Sequence, residues 1–335
     1  MTAEKTIETR ELELKPPGEN QVLLKVEACA ICTLERRIFE GTMKIYPFAG
    51  GHEAAGTVAE VGNKVRTLKA GDRAALRLLT NCGECYYCRT GRENQCVFSF
   101  EASVHKGING PGGFAEYMLV DSRSVFKVSE NMDHRYAALA EPLACCVHSV
   151  GNGRIALGDD VVVIGAGVMG AFHIQLAKLR GGRVLACEVD ENRLDMARQM
   201  GADIVINSKE KNTIEEVKEL TEGRGADVVF CTAAVPALAD EAIKMTGKFG
   251  RVVMYSSFHP KEPIDLDVNN IHYSEMIVTG SVNPGIGDFQ TAVRLLSLGL
   301  VDPIKLVSDS YPLEEIVLAF RRASESGTYR IMVTA

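Results

Sequence analysis

The sequence predicts an α/β protein of two domains, in which a β-rich part precedes a doubly wound parallel sheet. Three observations predict this class. A chain of 335 residues divides more naturally into two cores than into one. Before residue 130, short β-like runs are separated by Gly and Pro. From about residue 158, strand and helix patterns alternate regularly.

Composition and charge narrow the possible partners. The net charge is −7, and the 37 basic residues are scattered, so the basic stripe of a nucleic-acid-binding protein is missing. The N-terminus is charged from residue 4, and the longest apolar runs are too short or too Gly-broken to span a bilayer. We therefore expect a cytoplasmic protein that binds a small molecule and neither nucleic acid nor a membrane.

The segment 82–96 contains four cysteines in the spacing C-x2-C-x2-C-x7-C. Thiols stay reduced in the cytoplasm, which favours metal binding over disulfides. The spacing lets one loop surround a tetrahedral zinc, and four ligands of one kind leave no coordination position for chemistry. It differs from the ferredoxin spacing. Cys82, Cys85, Cys88 and Cys96 are therefore predicted to bind a structural zinc.

The first part of the chain has the sequence pattern of a β-rich domain. Its β-like runs are QVLLKVEA (21–28), EAAGTVAEVG (53–62), DRAALRLL (72–79) and FAEYMLV (114–120). The tail from about residue 287 contains helices and strands beyond those that the second sheet needs. We expect this tail to return to the first domain, leaving a cleft between the domains in which a ligand binds.

The segment 159–206 has the pattern of a βαβαβ unit. A G-x-G-x-x-G motif directly follows the apolar strand Val161–Ile164 and directly precedes a helical run. Such glycines allow a tight turn and close approach of a pyrophosphate, whose charge rests on the helix N-terminus. Further strands follow at 227–232, 251–256 and 276–281. The motif predicts dinucleotide contacts from Gly165, Gly167, Val168, Met169 and Gly170.

Two charged residues after the second strand bear on the choice of cofactor. Glu188 lies 23 positions after Gly165, where a carboxylate accepts hydrogen bonds from the adenosine ribose. An acid there repels the 2′-phosphate of NADP, which favours NAD(H). Arg193 lies one turn further and would partly offset the repulsion. The alternative is that both residues are solvated surface charges.

Several segments together resemble a known family over nearly the whole chain. They are GHEAAGTVAEVG (51–62), AGDRA (70–74), the four cysteines, GGFAEYMLV (112–120), EPLACCVHSV (141–150) and IHYSEMIVTGS (271–281). The chain resembles the zinc-containing medium-chain dehydrogenases of the alcohol dehydrogenase superfamily, within them the sorbitol and threonine dehydrogenase branch. The resemblance implies a GroES-like catalytic domain at 1–149 and 287–335, with a structural zinc lobe at about 81–97. It implies a Rossmann NAD-binding domain at 150–286.

The resemblance also implies a catalytic zinc, so that two zinc ions are expected per chain. Cys32 in AIC matches its first ligand, and His52 and Glu53 in GHE match the next ligands. Glu141 in EPL matches a nearby carboxylate that replaces or holds the metal-bound water. A catalytic zinc needs about three protein ligands and one exchangeable position. Zinc would serve as Lewis acid and the nicotinamide as hydride acceptor. The other six histidines, His105 and His259 among them, are interpreted as packing residues.

One segment departs from the family pattern. The family usually has C-G-[ST]-D-x-H, whereas this chain has CTLERR, which places Leu34 at the proton-relay hydroxyl and Arg37 at the relay histidine. Three explanations compete: Thr33 supplies the hydroxyl, Glu53 or Glu141 takes the proton through water, or simple alcohols are not oxidised. We favour the carboxylate, because it is a general base that needs one water to reach. Arg37 cannot shuttle protons but could bind an anionic group.

The sequence thus predicts a zinc- and NAD(H)-dependent oxidoreductase that interconverts a secondary alcohol and its ketone. The substrate class is a polyol, a sugar-derived alcohol or an amino alcohol. The alternative is a dinucleotide-binding relative with altered or lost catalysis, because Leu34 replaces the relay residue. The strand at 276–281 lies where the resemblance implies an edge that pairs across a two-fold axis, so a homodimer or homotetramer is expected.

Overall fold

The structure, a computed structural model of the chain, describes residues 1–99, 108–258 and 262–335. The chain divides into two units, Met1–Ala144 with Gly285–Ala335, and Cys145–Pro284. His105 and His259, interpreted above as packing residues, lie outside the described residues. Across the three described ranges, every helix is too short or too polar to cross a membrane.

The regular elements are numbered in chain order. The strands are β1 (Gln21–Ala30), β2 (Glu53–Val61), β3 (Arg73–Arg77), β4 (Tyr117–Asp121), β5 (Val125–Lys127), β6 (Asp160–Ile164), β7 (Arg183–Glu188), β8 (Ile204–Asn207), β9 (Ala226–Cys231), β10 (Thr246–Met254), β11 (Ile277–Gly280), β12 (Val307–Pro312) and β13 (Arg330–Thr334). The helices are α1 (Thr33–Phe39), α2 (Tyr86–Arg89), α3 (His134–Ala137), α4 (Ala140–Gly153), α5 (Val168–Leu179), α6 (Glu191–Gln199), α7 (Thr213–Leu220), α8 (Pro236–Met245), α9 (Val268–Ser274), α10 (Ile286–Ser297) and α11 (Ile316–Ala323).

The first unit is built on a largely antiparallel sheet in the order β12-β13-β1-β2-β3-β5, with β4 also paired to β1. Alternate residues of β1, Val22, Leu24 and Val26, are buried, as expected for a strand with one face on a core. The tail of the chain enters this sheet because β13 pairs with β1. The register places Ala30 opposite Glu53 and Glu53 opposite Arg77, so the ends of β1, β2 and β3 lie side by side.

The second unit contains a parallel sheet in the order β11-β10-β9-β6-β7-β8. Every residue of the central strand β6 is buried, which is typical of a parallel sheet covered on both faces. The strand order reverses beside β6, and in such sheets ligands bind at the carboxyl ends of the strands at this reversal. The predicted α/β class is confirmed, because a β-rich first unit accompanies a second unit built on a parallel sheet.

Candidate metal centre and cofactor site

Three metal-ligating side chains meet at one edge of the first sheet. Cys32 is the N-cap residue of α1 just after β1, and His52 directly precedes Glu53, the first residue of β2. Because the two strands are antiparallel, the end of β1 lies beside the start of β2. Ligand atoms of Cys32, His52 and Glu53 lie within 4.8 Å of one another. The structure thus brings together three of the four residues that the resemblance assigns to the catalytic zinc.

A buried carboxylate orients the imidazole of this cluster. Glu35, in the first turn of α1, is 0% exposed, and its Oε1 lies 2.6 Å from Nδ1 of His52. The same oxygen accepts the backbone N–H of Gly51 at 3.0 Å. Burial acts to lower the pKa of His52, but the charges of Glu35 and Cys32 outweigh it and hold that pKa well above its usual value. Since Nδ1 is engaged, Nε2 remains for a metal, the arrangement in which a carboxylate fixes a zinc-bound histidine.

The carboxylate of Glu53 is held by Arg330, the first residue of β13. Nε of Arg330 donates to Oε2 at 2.8 Å, and Nη2 donates to Oε1 at 2.6 Å. Both side chains are buried. Because both oxygens accept from one guanidinium, Glu53 is poorly placed to take a proton from substrate.

The sulfur of Cys32 lies close to the same arginine, Arg330. Nη2 of Arg330 is 3.8 Å from it. Burial, followed by the negative charge of Glu53, raises the pKa of the Cys32 thiol, while Arg330 and His52 act in the opposite direction. A thiol must lose its proton to bind a metal, and a divalent ion supplies the positive charge that makes this favourable. The donor set of one sulfur, one nitrogen and carboxylate oxygen fits zinc.

Glu141 is not a member of this three-residue cluster. It lies in the first turn of α4 and is partly exposed. Its negative charge nevertheless acts to raise the pKa of both Arg330 and Arg77.

The segment CTLERR (32–37), which differs from the family pattern, forms the N-cap and the first five residues of α1. Thr33 is partly buried at the first position of the helix, and Leu34 is 36% exposed. Arg37 lies in the last turn and is partly exposed. Leu34 carries no proton-transfer group, so the structure offers no hydroxyl at the usual relay position.

The four-cysteine lobe, residues 82–96, brings its sulfurs together around one point. The sulfur of Cys82 lies 3.6 Å from that of Cys96 and 3.9 Å from that of Cys88, and the sulfurs of Cys85 and Cys96 are 4.0 Å apart. Four sulfurs at about 2.3 Å from a tetrahedral zinc would be separated by about 3.8 Å. The lobe therefore fits a zinc ion.

Backbone groups of the lobe already point at the sulfurs. Cys82 donates its N–H to the sulfur of Cys96 at 3.4 Å, and Cys85 donates to that of Cys82 at 3.3 Å. A backbone hydrogen bond from Cys88 is the main reason that the pKa of Cys85 is lowered to about 6. Burial raises the pKa of Cys88 to about 12. The backbone hydrogen bonds of the loop thus favour the thiolate of Cys85, the form in which cysteine binds zinc, whereas burial favours the neutral thiol of Cys88.

The glycine motif of the second unit forms the turn between β6 and α5. Gly165 has φ +92°, a conformation that favours glycine, and Gly167 is the N-cap residue of α5. A Cβ on Gly170 would lie 1.9 Å from the carbonyl oxygen of Gly165, so a side chain there would collide with the turn. Val168 and Met169 occupy the first turn of α5. The N-terminus of this helix is suited to a pyrophosphate.

The acid at the end of β7 lies against this turn. Oε2 of Glu188 accepts the N–H of Ala166, inside the glycine motif, at 2.8 Å, and Oε1 accepts the N–H of Val189 at 2.7 Å. Arg193 lies on α6, and its backbone N–H is donated to the N-cap residue Asp190. The structure therefore brings Glu188 to the predicted cofactor turn.

Sequence reasoning missed three residues of the metal centre. Glu35 carried a local signal, since it is an acid three positions after Cys32 on the helix that the cysteine begins. Arg330 carried none, because it lies 277 positions after Glu53. Arg77, opposite Glu53 in the register, is apparent only once the pairing of β2 and β3 is known.

Comparison with known proteins identifies the family. Residues 18–130 match the family model described as alcohol dehydrogenase GroES-like domain, and residues 168–297 match that of zinc-binding dehydrogenase. The chain is 31% identical to D-arabitol-phosphate dehydrogenase of Enterococcus avium, covering 96% of this chain and 92% of the relative. It is 33% identical to sorbitol dehydrogenase of Halalkalibacterium halodurans (95% and 92%), and 31% identical to L-threonine 3-dehydrogenase of Bacillus velezensis (93% and 90%).

Two solved structures share the fold. One is a zinc-binding dehydrogenase from Sinorhizobium meliloti 1021 bound to NADP, with 29% identity, a TM-score of 0.88 and coverage of 97% of this chain and 95% of that one. The other is an alcohol dehydrogenase from Escherichia coli CFT073 complexed with NADH, with 26% identity, a TM-score of 0.89 and coverage of 100% and 97%. The chain belongs to the zinc-type alcohol dehydrogenase family, and the resemblance to its sorbitol and threonine dehydrogenases is confirmed.

Proposed function

We propose that this protein is a zinc- and NAD(H)-dependent dehydrogenase that interconverts a secondary alcohol and its ketone. The observation that carries the proposal is the convergence of Cys32, His52 and Glu53, with Glu35 and Arg330 holding two of them in place. This arrangement occurs in a chain whose family members are alcohol and polyol dehydrogenases. The second unit supplies a glycine turn suited to a dinucleotide.

Cys32, His52 and a carboxylate, Glu53 or Glu141, would hold the catalytic zinc, and the four-cysteine lobe would hold a second ion. Zinc, when bound, supplies a Lewis acid that favours loss of the alcohol proton. The residues of the chain prepare this chemistry: Glu35 fixes the ring of His52, and Arg330 fixes Glu53. Glu141 is our candidate for receiving the substrate proton through a water molecule, because Leu34 cannot relay it.

We propose NAD(H) as the preferred cofactor because of Glu188. A carboxylate at the end of β7 accepts hydrogen bonds from ribose hydroxyls and repels a 2′-phosphate. Relatives with NADP and with NADH are both known among the solved structures, so the preference rests on the residues of this chain. Arg193 would weaken the preference if its guanidinium turned toward the same ribose.

The proposed substrate class is based on the substrates in the names of the relatives. Their names cover a phosphorylated polyol, a polyol and an amino alcohol, each of which carries a secondary alcohol. We therefore propose a polyol, sugar-derived or amino-alcohol substrate. We further propose a homodimer or homotetramer, because β11 is an edge strand whose Ile277 and Val278 are 43% and 37% exposed. We also propose a cytoplasmic location, where the thiols of the four-cysteine lobe stay reduced.

The test is an absorbance screen for NADH formation over polyols, phosphorylated polyols and amino alcohols, run beside a zinc count per chain. Cys32→Ala and His52→Ala should abolish turnover while NADH binding and the fold are retained. NADH binding without turnover on any alcohol or ketone would instead indicate the non-catalytic relative that Leu34 allows. Full activity in protein lacking the zinc of the Cys32 site would overturn the proposal.

A further inference from the structure

His173 lies in the middle of α5, in the second unit, and is 0% exposed. Its ring packs against those of Phe230 and Tyr255, with ring centroids 4.9 Å apart in both pairs. Both ring nitrogens also have polar neighbours. Nδ1 lies 2.7 Å from the carbonyl oxygen of Met169, and Nε2 lies 2.8 Å from Oγ of Ser149. The interpretation of His173 as a packing residue therefore accounts for only part of its environment.

These two neighbours determine where the ring of His173 carries its hydrogen. A backbone carbonyl oxygen only accepts hydrogen bonds, so Nδ1 must donate to Met169. Burial lowers the pKa of His173 to about 4, although the bond to Met169 acts in the opposite direction, so the ring is neutral at neutral pH. Nε2 then has a lone pair and accepts the hydroxyl hydrogen of Ser149. The hydrogen bonds thus run in one direction, from Ser149 through His173 to Met169.

The carbonyl at the end of this series belongs to the glycine motif. Met169 is the second residue of α5, between Gly167 and Gly170. Ala171 donates its N–H to the carbonyl of Gly167 at 2.9 Å, so the N–H groups of the first turn precede this helical bond. Such N–H groups at a helix N-terminus are the ones that a pyrophosphate accepts. The orientation of the Met169 peptide therefore bears directly on the predicted cofactor turn.

Helix α4 connects to this turn at two points. Ser149 is 0% exposed and lies on α4, and Cys146, one turn earlier on the same helix, has its Sγ 3.6 Å from the Met169 carbonyl oxygen. The carbonyl thus contacts α4 directly through Cys146 and indirectly through the ring of His173. Helix ends fray when only their own backbone bonds hold them. Bonds to a neighbouring helix restrict the first turn of α5 to one orientation.

We propose that His173 is a positioning residue for the dinucleotide, whose Nδ1–H holds the Met169 carbonyl and thereby fixes the first turn of α5 for the pyrophosphate. Ser149 holds the other side of the ring. A turn that is already ordered loses less conformational freedom when its ligand arrives, so the ligand binds more tightly. The inference rests on the dinucleotide binding of the proposed function, and it is independent of the substrate and of both metal sites.

The first test compares two amides at position 173 by fluorescence titration with NADH. The amide nitrogen of Asn lies about where Nδ1 of His lies, and that of Gln about where Nε2 lies, so only Asn can still donate to Met169. His173→Gln should weaken NADH binding by about three- to ten-fold, the range expected for one hydrogen bond. His173→Asn should recover most of this loss. His272→Gln, at an exposed histidine of the same unit, should bind NADH as the wild type does.

The second test separates the pyrophosphate from the rest of the cofactor. ADP-ribose contains the pyrophosphate and adenosine does not, and both can be titrated as competitors of NADH. His173→Gln should weaken ADP-ribose binding by the same factor as NADH binding and leave adenosine binding unchanged. A role confined to packing would affect the two competitors equally. If His173→Gln does not fold, Ser149→Ala carries the same titrations, because it releases the other side of the ring; NADH and ADP-ribose should again lose affinity and adenosine should not.

Nitrogen-15 NMR of the histidine rings tests the hydrogen-bond direction without a ligand. The signals of His173, identified by their loss in His173→Asn, should show a neutral ring with its hydrogen on Nδ1. A hydrogen on Nε2 would overturn the inference, and so would unchanged NADH affinity in His173→Gln or equal losses for ADP-ribose and adenosine. Absence of NADH binding in the wild type would instead overturn the proposed function, and the inference with it.

Discussion

Glu35 and His52 form a buried pair in which Oε1 of the carboxylate lies 2.6 Å from Nδ1 of the ring. The two residues are 17 positions apart, and they meet because α1 starts at the end of β1 while His52 precedes the adjacent strand β2. The pair determines which ring nitrogen of His52 is left for a metal ion. With Nδ1 donating to a carboxylate, Nε2 is the ring nitrogen left for an ion beside the Cys32 sulfur and the Glu53 carboxylate, and an ion bound there takes the place of the Nε2 proton.

Glu35→Gln should weaken zinc binding at the Cys32 site while leaving the lobe zinc in place. The amide keeps the size of the side chain but loses the charge that orients and polarises the imidazole, and such losses typically cost about 10- to 100-fold in metal affinity. The measurement is zinc per chain after dialysis against increasing chelator. Glu60→Gln, an exposed acid on β2, is the control. Equal zinc retention by Glu35→Gln and the wild type would contradict the role given to Glu35.

Arg330→Met should destabilise the first unit strongly because it leaves the Glu53 carboxylate buried without its partner. Removing one member of a buried ion pair costs about 3–5 kcal/mol. The double variant Glu53→Gln/Arg330→Met should recover a large part of that loss, since no charge is then left unpaired. Urea unfolding of zinc-loaded protein measures both values. Additive losses in the double variant would show that the two side chains do not depend on each other.

The sequence predicted those parts of the site whose residues are close together along the chain. The four cysteines span 15 positions, and the glycine motif spans six, so spacing alone carries their geometry. The bond between Glu53 and Arg330 spans 277 positions and depends on β13 pairing with β1, which no local pattern encodes. The position of Arg77 depends similarly on strand register. The run 114–120 was predicted as a strand, and β4 begins at Tyr117, because pairing with β1 rather than composition sets its start.

Glu188→Gln should shift cofactor preference toward NADP(H). The amide can still accept the N–H of Ala166, but the negative charge that would face a 2′-phosphate is removed. Two unit charges about 4 Å apart repel by about 1 kcal/mol in water and about 4 kcal/mol near a protein surface, which corresponds to about a five-fold or larger change in relative affinity. Dissociation constants of NADH and NADPH, measured by fluorescence titration, need no substrate. Glu191→Gln, an exposed acid on α6, should have no comparable effect.

Cys85→Ser should reduce the zinc content by one ion and loosen the lobe without affecting dinucleotide binding. A serine oxygen is a poor replacement for a thiolate, and a structural site with four cysteine ligands depends on all of them. The glycine turn and Glu188 lie in the second unit, so NADH affinity should stay at the wild-type value. Zinc analysis, limited proteolysis of the segment 82–96 and NADH titration give the three readouts. Cys145→Ser, outside the lobe, is the matched control. Loss of both zinc ions, or of NADH binding, would contradict a local structural role.

Asp72→Asn should show how one buried carboxylate makes stability depend on pH. Asp72 is 6% exposed; Oδ1 accepts from Nζ of Lys127 at 2.7 Å, and Oδ2 accepts the N–H of Lys69 at 3.0 Å. Burial acts to raise the pKa of Asp72, but these two hydrogen bonds outweigh it, so the folded-state pKa lies below the unfolded value of about 3.9. A lowered pKa means that the unfolded chain binds the proton more readily, and stability is lost as the pH falls from about 4 through the folded pKa.

The difference in the free energy of unfolding between the wild type and Asp72→Asn should therefore be constant from pH 7 to pH 5. Hydrogen bonds to a charged group contribute about 1.5–3 kcal/mol, and we expect the difference between the two proteins to be of this size. Below about pH 4 the difference should shrink, because the wild-type carboxyl becomes protonated and resembles the amide. Urea midpoints across this range measure it. Asp195→Asn, whose side chain is 63% exposed beside Arg198, should differ little from the wild type at any pH, since exposed pairs contribute at most about 1 kcal/mol. A gap that widens on acidification would reverse the sign argued here for Asp72.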